Sequence, residues 1–300
     1  PDYDQDTYSD LEEKTVGTKV TDPNQTVDPY DPNVNVIVAS AADIRSANHA
    51  ADPVNSRTGA FEFSQTDFEL SGRGQHINFV RTYNSKFPDM NNRLGYGWSF
   101  SYNIYYYQDP GSKTILFSFG GQKSVIFTTP DNGQTFVAPD GVDDTVARNP
   151  VTGNIEFRTV DAIKYIFSRT VSNNMSMLEQ IVDPNNNVTQ LSYNVVFDVP
   201  LLTRIQDASG RAIQLSYGDP TDRARFDKIT ELRDLVNPTA PRIVRYTYDT
   251  GTGQLLTLVE SNRFYNGTTE WSNRTFTYNT SDQNRLEKYT DPRGTVLTNQ

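Results

Sequence analysis

From Phe61 onward, apolar and polar residues alternate along the chain. Ile77, Phe79, Arg81 and Tyr83 share one phase, and His76, Asn78, Val80 and Thr82 the other. A period of two predicts a half-buried strand. Thr114 to Phe119 and Gln122 to Thr128 are apolar runs separated by Gly120-Gly121. That spacing predicts a two-residue hairpin whose glycines supply the positive φ of a primed turn. Asn132-Gly133 marks a second tight turn. Helical periodicity is nearly absent: only Ala39 to Ala51 reads as a short helix, after a strand at Val34 to Val38. The pattern predicts an all-β, antiparallel fold.

The second half is repetitive. Leu178 and Ile181 precede Asp183-Pro184 and then Leu191-Ser192-Tyr193-Asn194. Leu202 and Ile205 precede Asp207, Gly210-Arg211 and Leu215-Ser216-Tyr217-Gly218. Ile229 and Leu232 lead to Tyr246-Thr247-Tyr248-Asp249; Leu255, Leu256 and Val259 lead to Phe276-Thr277-Tyr278-Asn279. A fifth unit starts at Leu286, Tyr289 and Asp291-Pro292. The closing tyrosines lie 24, 31 and 30 residues apart, and the extra length near Arg223 to Asp227 and Phe264 to Thr268 reads as loops. Each unit is a β-hairpin with an Asp-Pro or Asp-x-x-Gly turn. One hairpin is marginal in water, so the units are expected to stack edge to edge and twist into a curled sheet, the start of a β-shell. A tyrosine at the strand end packs its ring and is expected to leave its hydroxyl in water.

Composition removes several chemistries. There is no cysteine, so disulfides, thiolate metal sites and cysteine nucleophiles are excluded. His49 and His76 are the only histidines, too few for a histidine-rich metal site or relay. A net charge of −10 argues against nucleic acid. Apolar runs reach only about four residues where a spanning helix needs about 20, so no membrane-spanning segment is expected. The acidity is local. Residues 1–50 hold ten acidic residues against Lys14, Lys19 and Arg45, a net of −7, and the remainder nets only −3.

That acidity is ordered. Asp2, Asp4, Asp6, Asp10 and Glu13 fall at positions 1, 3, 5, 9 and 12 of a twelve-residue window, with Tyr8 where a calcium loop offers a backbone carbonyl. A hard cation takes six to eight oxygens, which such a loop supplies from alternate side chains and a bidentate Glu. Thr7 stands where the usual glycine makes the sharp turn. The alternative is a solvated acidic tail. With Leu11-Glu12-Glu13, Gly17-Thr18 and Asp22-Pro23-Asn24 following, the stretch resembles a thrombospondin type 3-like calcium repeat of bacterial surface proteins. The resemblance implies that Asp2, Asp4, Asp6, Tyr8, Asp10 and Glu13 bind Ca2+ in a stiffened stalk.

Asp52-Pro53-Val54, Thr58-Gly59-Ala60-Phe61, Thr66-Asp67-Phe68, Arg81-Thr82-Tyr83-Asn84-Ser85 and Leu94-Gly95-Tyr96-Gly97-Trp98-Ser99 occur in that order. Together they resemble the β domain that opens the shell of Rhs-type and other YD-repeat proteins. Tyr246-Thr247-Tyr248-Asp249, followed by Gly251-Thr252-Gly253-Gln254-Leu255, is similar to the YD repeat itself. The chain then divides into a calcium stalk (1–33), a linker (34–51), the opening β domain (52–130) and hairpin repeats (131–300). The family implies a non-enzymatic container, extracellular or on the cell surface, that encloses its own C-terminal toxin domain as cargo. The alternative is a calcium-stiffened adhesin or filament scaffold binding an extracellular or cell-surface partner. Gly72-Arg73-Gly74 and Gly95-Tyr96-Gly97 lie between strand-like runs and read as turns, not phosphate loops. Asp143-Asp144 reads as exposed loop charge, and His76 as a surface residue of its strand.

Overall fold

The computed structural model describes residues 60–298 apart from 73, 109–112, 121–122, 132, 173–174, 238, 264–268 and 280–284. The expected strand Val34 to Val38 and helix Ala39 to Ala51 lie outside them. The described residues are all β: antiparallel strands in curled sheets, with neither a helix nor a closed barrel. None of them forms a helix long and apolar enough to cross a membrane.

Five strands come first: β1 (Glu62–Leu70), β2 (Ile77–Asn84), β3 (Asn91–Asn92), β4 (Gly95–Tyr96) and β5 (Trp98–Phe100). β1, β2 and β5 form a three-stranded sheet, and β3 pairs with β4 alone. The alternation read from the sequence holds on β2. Ile77, Phe79, Arg81 and Tyr83 are buried and His76 is exposed, although the inward phase includes a charged arginine.

The other strands form one 16-stranded sheet. β6 (Tyr105–Tyr107), β7 (Thr114–Phe119) and β8 (Lys123–Thr128) form a meander at a fork. β9 (Thr145–Arg148), β10 (Ile155–Arg158), β11 (Lys164–Ser172) and β12 (Met175–Val182) approach that fork from the other side. At the fork, Met175, Ser176 and Met177 of β12 pair with β6, while Gln180, Ile181 and Val182 pair with β13 (Val188–Val196). Strands then follow in chain order: β14 (Val199–Gln206), β15 (Ala212–Tyr217), β16 (Ile229–Asp234), β17 (Ile243–Tyr248), β18 (Leu255–Arg263), β19 (Thr269–Asn279), β20 (Arg285–Thr290) and β21 (Val296–Thr298). These are the stacked hairpins that the repeat predicted.

The turns explain the repeated aspartates. Asp183 Oδ1 accepts the N–H groups of Asn185 and Asn187 at 2.9 and 2.8 Å. Asp207 does the same for Ser209 and Arg211, and Asp291 for Arg293 and Thr295. The residue three after each aspartate, Asn186, Gly210 or Gly294, adopts a left-handed φ of 60°, 82° or 83°. Only glycine and asparagine enter that region readily, which fixes Asp-x-x-Gly/Asn as the turn signature.

Three sequence expectations are corrected. The β7–β8 connection has three residues, since Phe119 pairs with Lys123. Gly120 is required there by proximity, because a Cβ would sit 2.3 Å from the Phe100 carbonyl oxygen. Asp144 is buried, and its Oδ1 accepts the Val160 N–H at 3.0 Å; Asp143 beside it is exposed. The tyrosine hydroxyls are not left in water. Tyr193 donates to the Leu178 carbonyl (2.8 Å), Tyr217 to Leu202 (2.9 Å) and Tyr248 to Ile229 (2.6 Å). Each reaches back to a leucine or isoleucine that begins its own repeat unit. A buried hydroxyl needs a partner, and each register bulge beside these tyrosines breaks the ladder locally.

One hydrophobic core joins both sheets. It runs from Phe68, Phe79 and Trp98 through Phe117, Phe127, Phe157 and Phe167 to Leu215, Leu232, Leu258 and Phe276. The small sheet therefore covers one face of the hairpin array.

Candidate functional site

The six residues expected to hold calcium, Asp2, Asp4, Asp6, Tyr8, Asp10 and Glu13, lie outside the described residues. Within those, no three His, Asp or Glu side chains gather where they could hold a metal ion. A buried polar cluster lies between the small sheet and the hairpin array.

Its centre is Arg81 of β2. Nε donates to Asp67 Oδ2 at 2.8 Å, and Nη2 to Asp67 Oδ1 at 3.2 Å and Gln65 Oε1 at 2.7 Å. Asp67 and Gln65 both come from β1. The Thr66/Phe68 bulge in the β1–β2 register turns this segment so that Asp67 faces the core. The guanidinium lies 4.6 Å from the Trp98 ring centre and 4.9 Å from that of Phe276, one ring from each sheet. Burial opposes the charge on Arg81, but the adjoining Asp67 carboxylate outweighs it and holds the guanidinium even more firmly protonated.

The hairpin array supplies the other half. Tyr246 of β17 donates its hydroxyl to Asp67 Oδ2 at 2.8 Å. Burial first, and the Asp67 charge next, push its phenol well above the ordinary range, so it remains a donor. Trp98 Nε1 donates to the Tyr278 hydroxyl at 2.7 Å, and the Leu286 N–H to the Tyr83 hydroxyl at 2.8 Å. Gln65 reaches Tyr289 at 3.4 Å. Four tyrosines from the two sheets are thereby committed to bonds across the seam.

A second seam surrounds Arg93, between β3 and β4. Its guanidinium meets Asp227 at 2.7 Å, and its carbonyl accepts the Ile229 N–H at 2.8 Å. Lys228 meets the same carboxylate at 3.0 Å. Burial disfavours the Asp227 charge, but Lys228 and Arg93 overcome this and lower its pKa. Gly95 closes the approach: with φ of +91°, it leaves no room for a Cβ, which would sit 2.9 Å from the Gly253 carbonyl oxygen. At the far end Arg242 donates to the Glu69 carbonyl at 3.1 Å and lies 3.7 Å from the Phe68 ring centre, while Arg211 donates to the Ser71 carbonyl.

Chemically, this arrangement holds buried charges and hydroxyls in paired positions. It is a clamp between an N-terminal sheet and a repeat array. Arg81 stands in the inward phase of β2, and a charge on a buried face requires a buried partner. Nothing local pointed to Asp67, 14 residues earlier, or to Tyr246, 179 residues later than Asp67.

Residues 51–135 match a family described as a domain of unknown function, DUF6531. No curated protein matches the chain. Among solved structures the chain is similar to TcdB2-TccC3, with 12% identity and a TM-score of 0.52 over 73% of this chain and 16% of that one. The Photorhabdus luminescens Tc holotoxin pore with a TccC3 variant is similar at 11% identity, a TM-score of 0.52 and the same coverages. TcdB2-TccC3 without its hypervariable C-terminal region gives 10% identity and a TM-score of 0.50, again over 73% and 16%. At such identities the likeness is one of fold, and the chain spans 16% of the length of these structures.

Proposed function

We propose that the chain is the opening wall of an Rhs/YD-repeat β-shell in a toxin-associated protein, and that the shell encloses a C-terminal effector domain. The observation that carries this reading is the order of the hairpin array. From β9 to β21 every strand pairs with its neighbour in sequence, so the wall lengthens by one hairpin per repeat. The clamp at Arg81 holds the first sheet against strands β17 to β20 of that wall. The fold likeness to part of TcdB2-TccC3 supports the same reading. In this role the segment works by enclosing and by excluding solvent, with no bond chemistry of its own, outside the cell or on its surface. The acidic segment 2–13 would then be a calcium-bound stalk before the wall. That segment also favours the second reading, a calcium-stiffened adhesin binding an extracellular partner.

Electron cryomicroscopy and proteolysis of the full-length protein separate the two. A container has further hairpins paired onto β21 and a C-terminal domain that resists proteinase K until the wall opens. A C-terminal domain that is digested as fast as an isolated domain, with the wall intact, overturns the container and leaves the adhesin.

A further inference from the structure

A second fork opens in the sheet beyond β12. β14 and β15 pair only from Arg204↔Gln214 to Gln206↔Ala212. Past Arg204, the β13–β14 hairpin separates from β15, and the 218–228 connection fills part of the gap. A groove of about 530 Å³ remains there, within the ordinary range for small-ligand sites. Its apolar side comes from Val196, Leu201, Tyr217 and Phe226.

The polar side is unusual for what it leaves unused. Arg81, Arg93, Arg211, Arg225, Arg233 and Arg245 each meet a carboxylate. Arg204 is half-buried in the groove, and its guanidinium has neither an ion pair nor a hydrogen bond to any described residue. No carboxylate lines the groove. The solvent-exposed side-chain amides of Asn194 and Gln214 border it, open to a ligand, and Gln214 lies directly across the ladder from Arg204. Removing a guanidinium from water without a counter-charge is unfavourable, and its fork of donors matches a carboxylate.

The groove wall is also preset. Phe197 and Asp198, at the tip of the β13–β14 hairpin, both adopt left-handed φ, 51° and 63°. A primed turn normally uses Asn-Gly there. Phe197 is held by an edge contact to Phe226 at 5.1 Å and by Arg223 at 4.1 Å from its ring centre. Phe226 is thereby fixed before any ligand arrives.

We infer that this groove binds a carboxylated sugar, such as a sialic or uronic acid within a glycan. Its carboxylate sits on Arg204, its hydroxyls bond to Asn194 and Gln214, and its apolar face lies on the half-buried Val196 and Tyr217, which are backed by Leu201 and Phe226. An acidic peptide fits less well. The Leu202 carbonyl beside the groove is already taken by Tyr217, and Thr203 Oγ1 donates to the Ser192 carbonyl, which leaves side-chain donors as the recognition elements.

The test is calorimetric titration of the chain with sialyllactose, a hyaluronan tetrasaccharide and lactose. Saturable binding of either acidic sugar, at least roughly tenfold tighter than lactose, supports the site and tells the two acids apart. Arg204→Gln should weaken that binding by about tenfold or more with no change in melting temperature, since the Arg204 guanidinium makes no bond to a described residue and the backbone pairing is kept; Arg204→Lys should retain part of it. The inference is overturned if neither acid saturates by about 10 mM, if lactose binds equally well, or if Arg204→Gln binds unchanged. Tighter binding of a glutamate-rich peptide in the same titration also overturns it.

Discussion

Arg81 and Asp67 form an ion pair whose two side chains are 0% and 1% exposed, with Nε and Oδ2 2.8 Å apart. Both residues belong to the small sheet, yet Tyr246 and Phe276 of the hairpin array complete the pair's surroundings. The ion pair therefore couples the integrity of the small sheet to its attachment.

Arg81→Ala should destabilise the chain by about 3–5 kcal/mol, because it leaves the Asp67 carboxylate buried without its cation. Urea unfolding measures this as a lower midpoint. The double variant Arg81→Met/Asp67→Leu should recover most of the loss, since it removes both charges and keeps apolar volume. Equal loss in the single and double variants would show that packing, not charge, is what Arg81 contributes.

Much of this architecture was legible because it depends on short-range rules. Alternation on β2, the Asp-x-x-Gly turns and the Tyr-ended strands each need only a few neighbouring residues, and stacked hairpins follow from them. The clamp was not legible, because its pairing joins β1 to β17 and β5 to β19 through tertiary packing that no local period records. Gly120 shows the same limit. Next to Gly121 it resembled a turn glycine, but its reason for being glycine is the Phe100 backbone across the fold. Asp144 misled for a related reason: in a turn-rich stretch its charge suggested solvent, whereas its carboxylate is used to accept the Val160 N–H.

The tyrosines that bridge strands should make the protein sensitive to alkali. Burial pushes the Tyr102 phenol up to about 12 and raises Tyr193, Tyr217 and Tyr248 as well. In the unfolded chain these groups lose their protons near pH 10. Above that pH the unfolded state binds fewer protons than the folded state, so stability falls as pH rises, until the folded groups ionise too. Melting temperatures should therefore be flat up to about pH 9.5 and fall between about pH 10 and 12. Tyr217→Phe should cost about 1 kcal/mol at neutral pH through loss of the Leu202 bond, and should make the alkaline fall shallower.

The turn aspartates predict the opposite limb. Bonds from the Asn187 side chain, then from the Asn187 and Asn185 N–H groups, hold the Asp183 carboxyl below its ordinary value. Thr252 and Gly251 do the same for Asp249. A depressed folded pKa favours the folded state above about pH 4, and that contribution disappears as pH falls through the folded value. Asp183→Ala and Asp249→Ala should each lower the melting temperature at pH 7, with the difference from the parent chain narrowing towards pH 2. A difference that persists unchanged at low pH would place their effect in turn geometry alone.

The acidic segment offers a test that does not depend on the rest of the fold. Its proposed ligands Asp2, Asp4, Asp6, Asp10 and Glu13 bracket the sequence just before Lys14 and Lys19, two trypsin sites. If Asp2 to Glu13 close around calcium, cleavage after Lys14 should slow at millimolar calcium and recover in EGTA, because the chain at the end of the loop is fixed by the bidentate Glu13. Glu13→Gln removes one carboxylate charge from the loop and should raise the calcium needed for protection by roughly tenfold or more. Thr7→Gly should act in the other direction, relieving the turn where calcium loops carry glycine. Magnesium at the same concentration should protect poorly, since it demands near-octahedral geometry and gives up its water reluctantly. Cleavage at the same rate in calcium and EGTA would identify the segment as a solvated acidic tail, leaving the β-sheet wall without a metal-stiffened stalk.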